Sequence, residues 1–370
     1  MIQLHSLARI SAFIKFSLWF CAILVLTGCP GEVVTKKKEP LKRIIILTNT
    51  ESPFWDACRS GMQDAEKDFK LNDAGYKIEM VVNDGTVKSQ IDTLLQYSSQ
   101  SDIAAVGVSV LKPTNARLAE VMTQLREKGI EVVTVDSDGD PRIFEGARYA
   151  YLGTQNIEGG KALGTCARLI NPEGGGYVTF VGKTGQQNAI ERVGGFAEGA
   201  GSKFKALDNM GDDTDKNRAR ENVRNAMQNF EGDLKTLVGI WSYNAPAIVD
   251  IVREKNSREK FTIVTFDAEP GAIQEMGKGM IDAMVVQNPY AMGYEGVRMM
   301  KALLDEDQKT LSEMLPHFGK SAGDIFDTGL KVVVPDEKSL VKKEAFGGKI
   351  QYLTLEEFKA WLKKYGLKGS

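Results

Sequence analysis

Asn49-Thr-Glu-Ser-Pro-Phe-Trp55 joins the first strand-like run of the chain, Lys42-Arg-Ile-Ile-Ile-Leu-Thr48, to its first helix-like run, Asp56 to Phe69. Polar residues end the strand, and Pro53 suits a first helical turn, where its missing N–H would have no partner anyway. The stretch therefore reads as a βα loop, and it carries two adjacent aromatics, Phe54 and Trp55. In an open parallel sheet ligands bind beyond the carboxyl ends of the strands, which puts both rings at the mouth of a site. Flat apolar rings suit the C–H face of a sugar, with polar groups nearby for its hydroxyls. The competing reading staples both rings into the core at the helix start. The other strand ends decide between the two.

Outward from this loop, strands and helices alternate. Strands are expected over 77–82, 103–109, 130–135 and 148–153, with helices over 87–100 and 113–128. A second set follows, with strands at 177–181, 234–241, 261–266, 281–286 and 330–334 and helices at 156–169, 186–200, 215–230, 246–255, 270–278 and 290–304. Apolar strands alternating with helices imply parallel sheets covered on both faces. Two such sets in 370 residues imply an α/β chain of two Rossmann-like lobes with a cleft between them. Thr354 to Lys364 reads as a short amphipathic helix in a C-terminal extension over 346–370.

The N-terminus has its own logic. Phe16 to Leu26 is an apolar run behind a weakly basic start, too short for an ordinary membrane-spanning helix and suited to a signal-peptide core. It closes on Leu26-Thr-Gly-Cys29, which resembles a bacterial lipobox, so residues 1–28 are expected to be removed and Cys29 to be acylated. Two or more acyl chains anchor stably where one would exchange. Residues 29–41 read as a polar tether. The expected location is the periplasm or outer cell face, lipid-anchored to a membrane.

Composition narrows the chemistry. A net charge of −2 and a single three-lysine run at Lys36 give no nucleic-acid footprint. Only His317 would remain after processing, so a multi-histidine zinc site is excluded by count and a histidine triad would rest on one loop residue. Cys58 and Cys166 fall in helix-like runs without a C-x-x-C pair and read as small buried hydrophobes, a disulfide being the less favoured alternative.

What stands at the strand ends is polar and short: Asp136 after the 130–135 run, Asn244 after 234–241, Asp267 after 261–266 and Gln287 after 281–286. One such residue would be a helix cap, and that reading is strong for Asn244 and Asp267. Four together with aromatics point to a ligand cavity, because carboxylates accept hydroxyl hydrogen bonds and amides do both. Arg192 would add donors in a fixed fork.

These residues carry a resemblance. Ser52-Pro-Phe-Trp55, Val135-Asp136, Tyr151-Leu-Gly-Thr-Gln-Asn156 with Gly159-Gly160, Glu191-Arg192-Val-Gly-Gly-Phe196, Tyr243-Asn244, Phe266-Asp267 and Gln287 follow the order and spacing of the ribose-type periplasmic sugar-binding proteins. The resemblance covers about 42–334. It implies two lobes, 42–153 with 288–328 and 154–287 with 329–345, joined by a three-crossing hinge near Gly153, Gln287 and Thr328. It also implies a monosaccharide ligand, stacked on Phe54 and Trp55 and hydrogen-bonded by Asp136, Arg192, Asn244, Asp267 and Gln287. Ser52 stands where ribose binders have asparagine, Ser137 where they have arginine, and Thr214 roughly where a third aromatic is found, so ribose itself is not implied. With Asp136, Asp138 and Asp267 facing one arginine, an amino sugar is a second candidate behind a neutral sugar.

The resulting expectation is a monomeric binding protein, with no cofactor and no metal, delivering a pentose, hexose or polyol to the membrane permease of an ABC importer. A sensing subunit for a membrane receptor would share the pocket. A glycosidase using two of Asp136, Asp138 and Asp267 is the enzymatic alternative, without a nucleophile elbow or P-loop in its support. No DNA-reading helix-turn-helix precedes Lys42.

Overall fold

The central strands of the first sheet are apolar on both faces, and the computed structural model, which describes residues 40–347 and 350–370, shows why. In β1 (Lys42–Leu47) Ile44 and Ile46 enter one core while Ile45 and Leu47 enter another on the opposite face. Side chains alternate across a strand, so a sheet with helices on both sides needs an unbroken apolar run. The chain continues through α1 (Phe54–Asp68), β2 (Tyr76–Val81), α2 (Val87–Tyr97), β3 (Ile103–Val108), α3 (Ala116–Glu127), β4 (Glu131–Val135) and β5 (Tyr151–Gly153). It then crosses to a second sheet through α4 (Asn156–Ile170), β6 (Gly175–Val181), α5 (Gln187–Ala200), β7 (Phe204–Gly211), α6 (Lys216–Asn229), β8 (Leu234–Gly239), α7 (Asn244–Glu254), β9 (Thr262–Phe266), α8 (Pro270–Gly277) and β10 (Ala283–Val286). A second crossing leads to α9 (Pro289–Leu304), α10 (Gln308–Met314) and β11 (Ile325–Asp327), and a third to β12 (Leu330–Val334), β13 (Ile350–Thr354) and α11 (Leu355–Lys364).

The strand orders are β11-β5-β4-β3-β1-β2 in the first sheet and β13-β12-β10-β9-β8-β6-β7 in the second. All pairs are parallel except β10 with β12, which is antiparallel and departs from the wholly parallel expectation. Cys58 and Cys166 are free and buried. The signal-peptide and Cys29 readings lie outside the described residues.

Some elements depart from the sequence reading. β7 is an edge strand whose Lys205, Asp208 and Asn209 face solvent or half-face it, so it has no apolar run to betray it. β13 and α11 are not an appendage: β13 adds a parallel edge to the second sheet beside β12, and Phe358 and Leu362 of α11 enter its core. A capping box between Thr354 and Glu357 starts α11.

Glycines set the two helix pairs that flank the cleft. A Cβ on Gly61 of α1 would run into the Tyr290 carbonyl of α9, and one on Gly195 of α5 into the Ile157 carbonyl of α4. The neighbouring Gly194 faces open space on the same helix. Gly195→Ala is therefore expected to lower stability by about 1–3 kcal/mol through overpacking. Gly194→Ala is expected to be neutral or to stabilise by up to about 1 kcal/mol through helix propensity. Urea midpoints of the two variants check this, and equal effects would contradict the packing account.

Candidate functional site

The βα loops of both sheets converge on one cavity. From the first sheet come Asn49, Ser52, Phe54, Trp55 and Asp136; from the second come Asn188, Arg192, Thr214, Trp241, Asp267 and, at a crossing, Gln287. About 80 Å³ there is open to the centres of water-sized molecules, well above the roughly 10–15 Å³ that admits a single water. Phe54 and Trp55 both line the cavity and belong to the core beneath it, packed edge to face at 5.2 Å. The two readings of these rings are thus not exclusive: helix α1 starts at Phe54, and its first turn wedges both rings between core and cleft.

Two buried aspartates face the cavity from opposite sheets, in matching positions. Asp136 directly follows β4 with φ +66°, and Asp267 directly follows β9 with φ +62°. The left-handed backbone is costly for a residue with a Cβ but is tolerated best by Asp and Asn. It turns each carboxylate off the strand axis. Asp136 accepts from Ser109 Oγ at 3.1 Å and Asn49 Nδ2 at 3.5 Å. Asp267 accepts from Gln287 Nε2 at 2.9 Å, and Gln287 in turn accepts from Thr154 Oγ1 at 2.9 Å, tying two crossings together.

Arg192 is 1% exposed, with its guanidinium carbon 4.3 Å from the Phe266 ring centroid. Its Nε donates to Asn156 Oδ1 at 2.9 Å and its Nη1 to the Ile240 carbonyl at 3.3 Å, with Asp267 Oδ2 at 3.9 Å. That last separation is too long for a direct hydrogen bond, so the ion pair offsets only part of the cost of burying the carboxylate. Burial pushes the Asp267 carboxyl up to about 6, against the pull of Arg192 and of the Gln287 hydrogen bond. Burial also raises Asp136, again opposed by Arg192 and then by Ser109.

Three buried polar atoms of cavity-lining residues have no partner: Arg192 Nη2, Asn188 Oδ1 and Trp241 Nε1. Asn188 and Arg192 are four residues apart on α5 and so share a face. Unsatisfied buried groups are rare in native proteins, because each carries the full cost of its lost hydration. All three belong to residues that line the cavity.

Several expected site residues lie elsewhere. Asn244 is fully buried at the start of α7, accepting from Trp241 N at 3.0 Å and donating to Asp212 at 3.0 Å. Its side chain is spent on the turn, and Tyr243 and Trp241 line the cavity in its place. Ser137 is fully buried and does not reach the cavity. Asp138 is gripped by Arg148, with Nε to Oδ1 at 2.8 Å and Nη2 to Oδ2 at 2.6 Å, so it does not face Arg192. Asn49, Asn188, Trp241 and Lys216 line the cavity without having been singled out. The aromatic surface on the second side comes from Trp241 and Tyr243, whereas Thr214 sits at the rim beside Lys216. Among the described residues no three His, Cys, Asp or Glu side chains converge as a metal site would require.

A profile of the periplasmic binding protein domain matches residues 44–309. The chain belongs to the periplasmic binding protein family. Among curated members it is 22% identical over 264 residues to the D-allose-binding periplasmic protein of Escherichia coli K12, covering 69% of this chain and 82% of that one. It is 23% identical over 267 residues to the ribose import binding protein of the same strain, covering 70% and 83%. Among solved structures, an ABC transporter solute-binding protein from Burkholderia graminis C4D1M in complex with D-arabinose superimposes with a TM-score of 0.69 at 22% identity, covering 82% of this chain and 99% of that one. The cleft of this periplasmic binding protein thus sits where its fold places ligands, at the carboxyl ends of two facing sheets.

Proposed function

We propose that this protein captures one monosaccharide, a pentose, hexose or related polyol, between its lobes and delivers it to the membrane permease of an ABC importer. The observation that carries the reading is the set of unpartnered Arg192 Nη2, Asn188 Oδ1 and Trp241 Nε1, in a cavity that also holds two buried carboxylates and the Trp55 ring. A polyhydroxyl ring supplies acceptors for the two donors, donors for the amide oxygen and carboxylates, and an apolar face for the indole. The named ligands of the curated relatives, D-allose and ribose, are of this class.

The same reading makes the three crossings, between Gly153 and Asn156, Val286 and Pro289, and Asp327 and Leu330, the hinge. The lobes it joins are 42–153 with 288–328 and 154–287 with 329–345, the second extended by β13 and α11. Ligand would bind the closed arrangement better and shift the population toward it. Gln186 Nε2 of the second lobe donates to the Leu111 carbonyl of the first at 3.3 Å, a contact of the kind closure makes. The protein acts outside the cytoplasm, tied to a membrane through acylated Cys29, as a monomer. A neutral sugar is favoured over an amino sugar because Asp138 is paired away from the cavity and Lys216 lines its rim. Binding is favoured over hydrolysis because the curated relatives are named as binding proteins; a binder returns its sugar unchanged after long incubation.

Trp241→Phe tests the reading at one side chain. It keeps an aromatic six-membered ring and removes the pyrrole ring with its unpartnered Nε1–H. Loss of at least one neutral hydrogen bond of about 1 kcal/mol predicts sugar binding weaker by roughly fivefold or more by calorimetry. Unchanged affinity would remove this donor from the site.

A further inference from the structure

Residues 350–370 lie beyond the family match at 44–309, yet they return to the backbone beside Asp267. Trp361 of α11 lies under the Lys331 ammonium, 3.9 Å from Nζ to the ring centroid. One turn later the Tyr365 ring packs 4.8 Å from Tyr290 of α9, which itself packs on the first sheet's side of the molecule and donates to Asp64 of α1 at 3.0 Å. The chain then runs on to Ser370, which is 4% exposed. Ser370 N donates to the Ala268 carbonyl at 3.0 Å, and Ala268 N donates to the Ser370 carbonyl at 2.7 Å. Ser370 Oγ donates to the Gln287 carbonyl at 2.9 Å. Gly369 fits only because it lacks a Cβ, which would lie 2.6 Å from the Ala268 carbonyl.

Ala268 follows Asp267, and Gln287 is the residue whose amide donates to Asp267. Ser370 therefore fastens the residue after the second lobe's site carboxylate and the residue whose side-chain amide holds it. The first lobe has an equivalent device built from its own strands. There Tyr151 Oη donates to the Asp136 carbonyl at 2.9 Å, and Asp136 N donates to Leu152. A left-handed, non-glycine residue persists only where its surroundings over-determine it. Both turns are held at their N–H from the neighbouring strand, Asp267 N donating to the Val285 carbonyl at 2.8 Å; beyond that, Tyr151 of the sheet holds the Asp136 carbonyl, whereas Ser370 holds the backbone of Ala268 after Asp267.

We infer that residues 368–370 are a positioning element of the sugar site: they lock the Asp267 turn in the orientation that meets ligand, while Tyr365 on Tyr290 ties the same segment to the first lobe. The effect on affinity rests on the sugar-binding reading; the effect on the turn does not.

Deletion of residues 368–370 in the otherwise full chain tests this, because it keeps Leu367 packed on the second lobe's core. Hydrogen exchange is measured on the ligand-free protein, and D-allose, D-ribose and D-arabinose are titrated into wild type and variant. The expected result is at least about tenfold faster exchange at the Ala268 amide and at least about fivefold weaker binding of whichever of these sugars wild type binds. Exchange in β1 and β4 stays unchanged. Should the deletion lower the melting temperature as well, Ser370→Ala, which loses only the Gln287 contact, is expected to weaken binding two- to threefold at unchanged melting temperature. Unchanged Ala268 exchange would overturn the inference, as would faster exchange with affinity held within twofold. If wild type binds none of the three sugars, that result counts against the sugar reading, and the exchange comparison alone decides whether the segment braces the turn.

Discussion

Arg192→Met is expected to abolish measurable sugar binding, with affinity at least about 100-fold weaker, and to destabilise the protein by about 3 kcal/mol. The affinity loss follows from removing charge-assisted donors, each worth about 1.5–3 kcal/mol to a hydroxyl in a dry site. The stability loss has a separate origin. Arg192 stands 3.9 Å from Asp267 Oδ2 and is itself 1% exposed, so the variant leaves a buried carboxylate without its cation. Breaking a buried pair by removing one partner costs about 3–5 kcal/mol, and the long separation puts this case at the low end. Asn156 Oδ1 and the Ile240 carbonyl also lose their donor. The thioether retains contact with the Phe266 ring, so the core does not collapse into a cavity. Denaturant melts at pH 7.5 and pH 4.5 separate the causes: the penalty shrinks at the lower pH, where Asp267 is protonated. A variant that melts like wild type at both would show that Arg192 does not compensate Asp267.

Asp267→Asn is expected to trade in the opposite sense, gaining stability while losing function. Burial raises the Asp267 carboxyl from its ordinary 3.8 to about 6. The folded protein therefore binds more protons than the unfolded chain between about pH 4 and pH 6, and stability falls as pH rises through that window. A rise of this size corresponds to about 3 kcal/mol, an upper bound on what Asn gains, since the amide lacks the charge that burial penalises. The gain should be near zero at pH 4, where both side chains are neutral, and full above about pH 7. Sugar affinity should fall about 10- to 100-fold, because the amide replaces a charge-assisted acceptor with a neutral one. In wild type, by the same argument, affinity should decline as pH drops below about 6. Thermal melts across pH 4–8 with parallel calorimetric titrations check both halves. A stability change independent of pH would mean that the Asp267 charge is not what burial penalises.

The two predictions share a cause: sites keep strained or uncompensated groups that the fold alone would discard. This is also why parts of the site were legible before the structure. Asp136, Asp267 and Gln287 sit where strands end, and several such polar residues together with aromatics are more than helix capping alone would require. Arg192 was legible through the resemblance, in Glu191-Arg192-Val-Gly-Gly-Phe196. Asn244 shows the limit of that logic. A short amide at a helix start satisfies the turn just as well as a ligand, and here Trp241 N and Asp212 take it. Asp138 was misplaced because its partner, Arg148, comes back to it only through the turns between them, a contact that no spacing rule reveals. Asn188 had a usable signal, one turn before Arg192 on the same helix face. Trp241 and Tyr243 had one too, as aromatics just past a strand. The architecture was readable where helices cover both faces of a sheet, as in β1, and unreadable at edges: β7 is half polar, and β13 takes its place only through pairing with β12.

The most direct measurement is a thermal-shift titration of the protein against neutral pentoses, neutral hexoses, inositols and amino sugars, with Arg192→Met as control. At one hundred times its dissociation constant a ligand adds about 2.7 kcal/mol of stability, a rise of several degrees. The account predicts such a rise with at least one neutral monosaccharide and none in the control. Folded protein that responds to no sugar in the panel, or that responds equally with Arg192 removed, would contradict it.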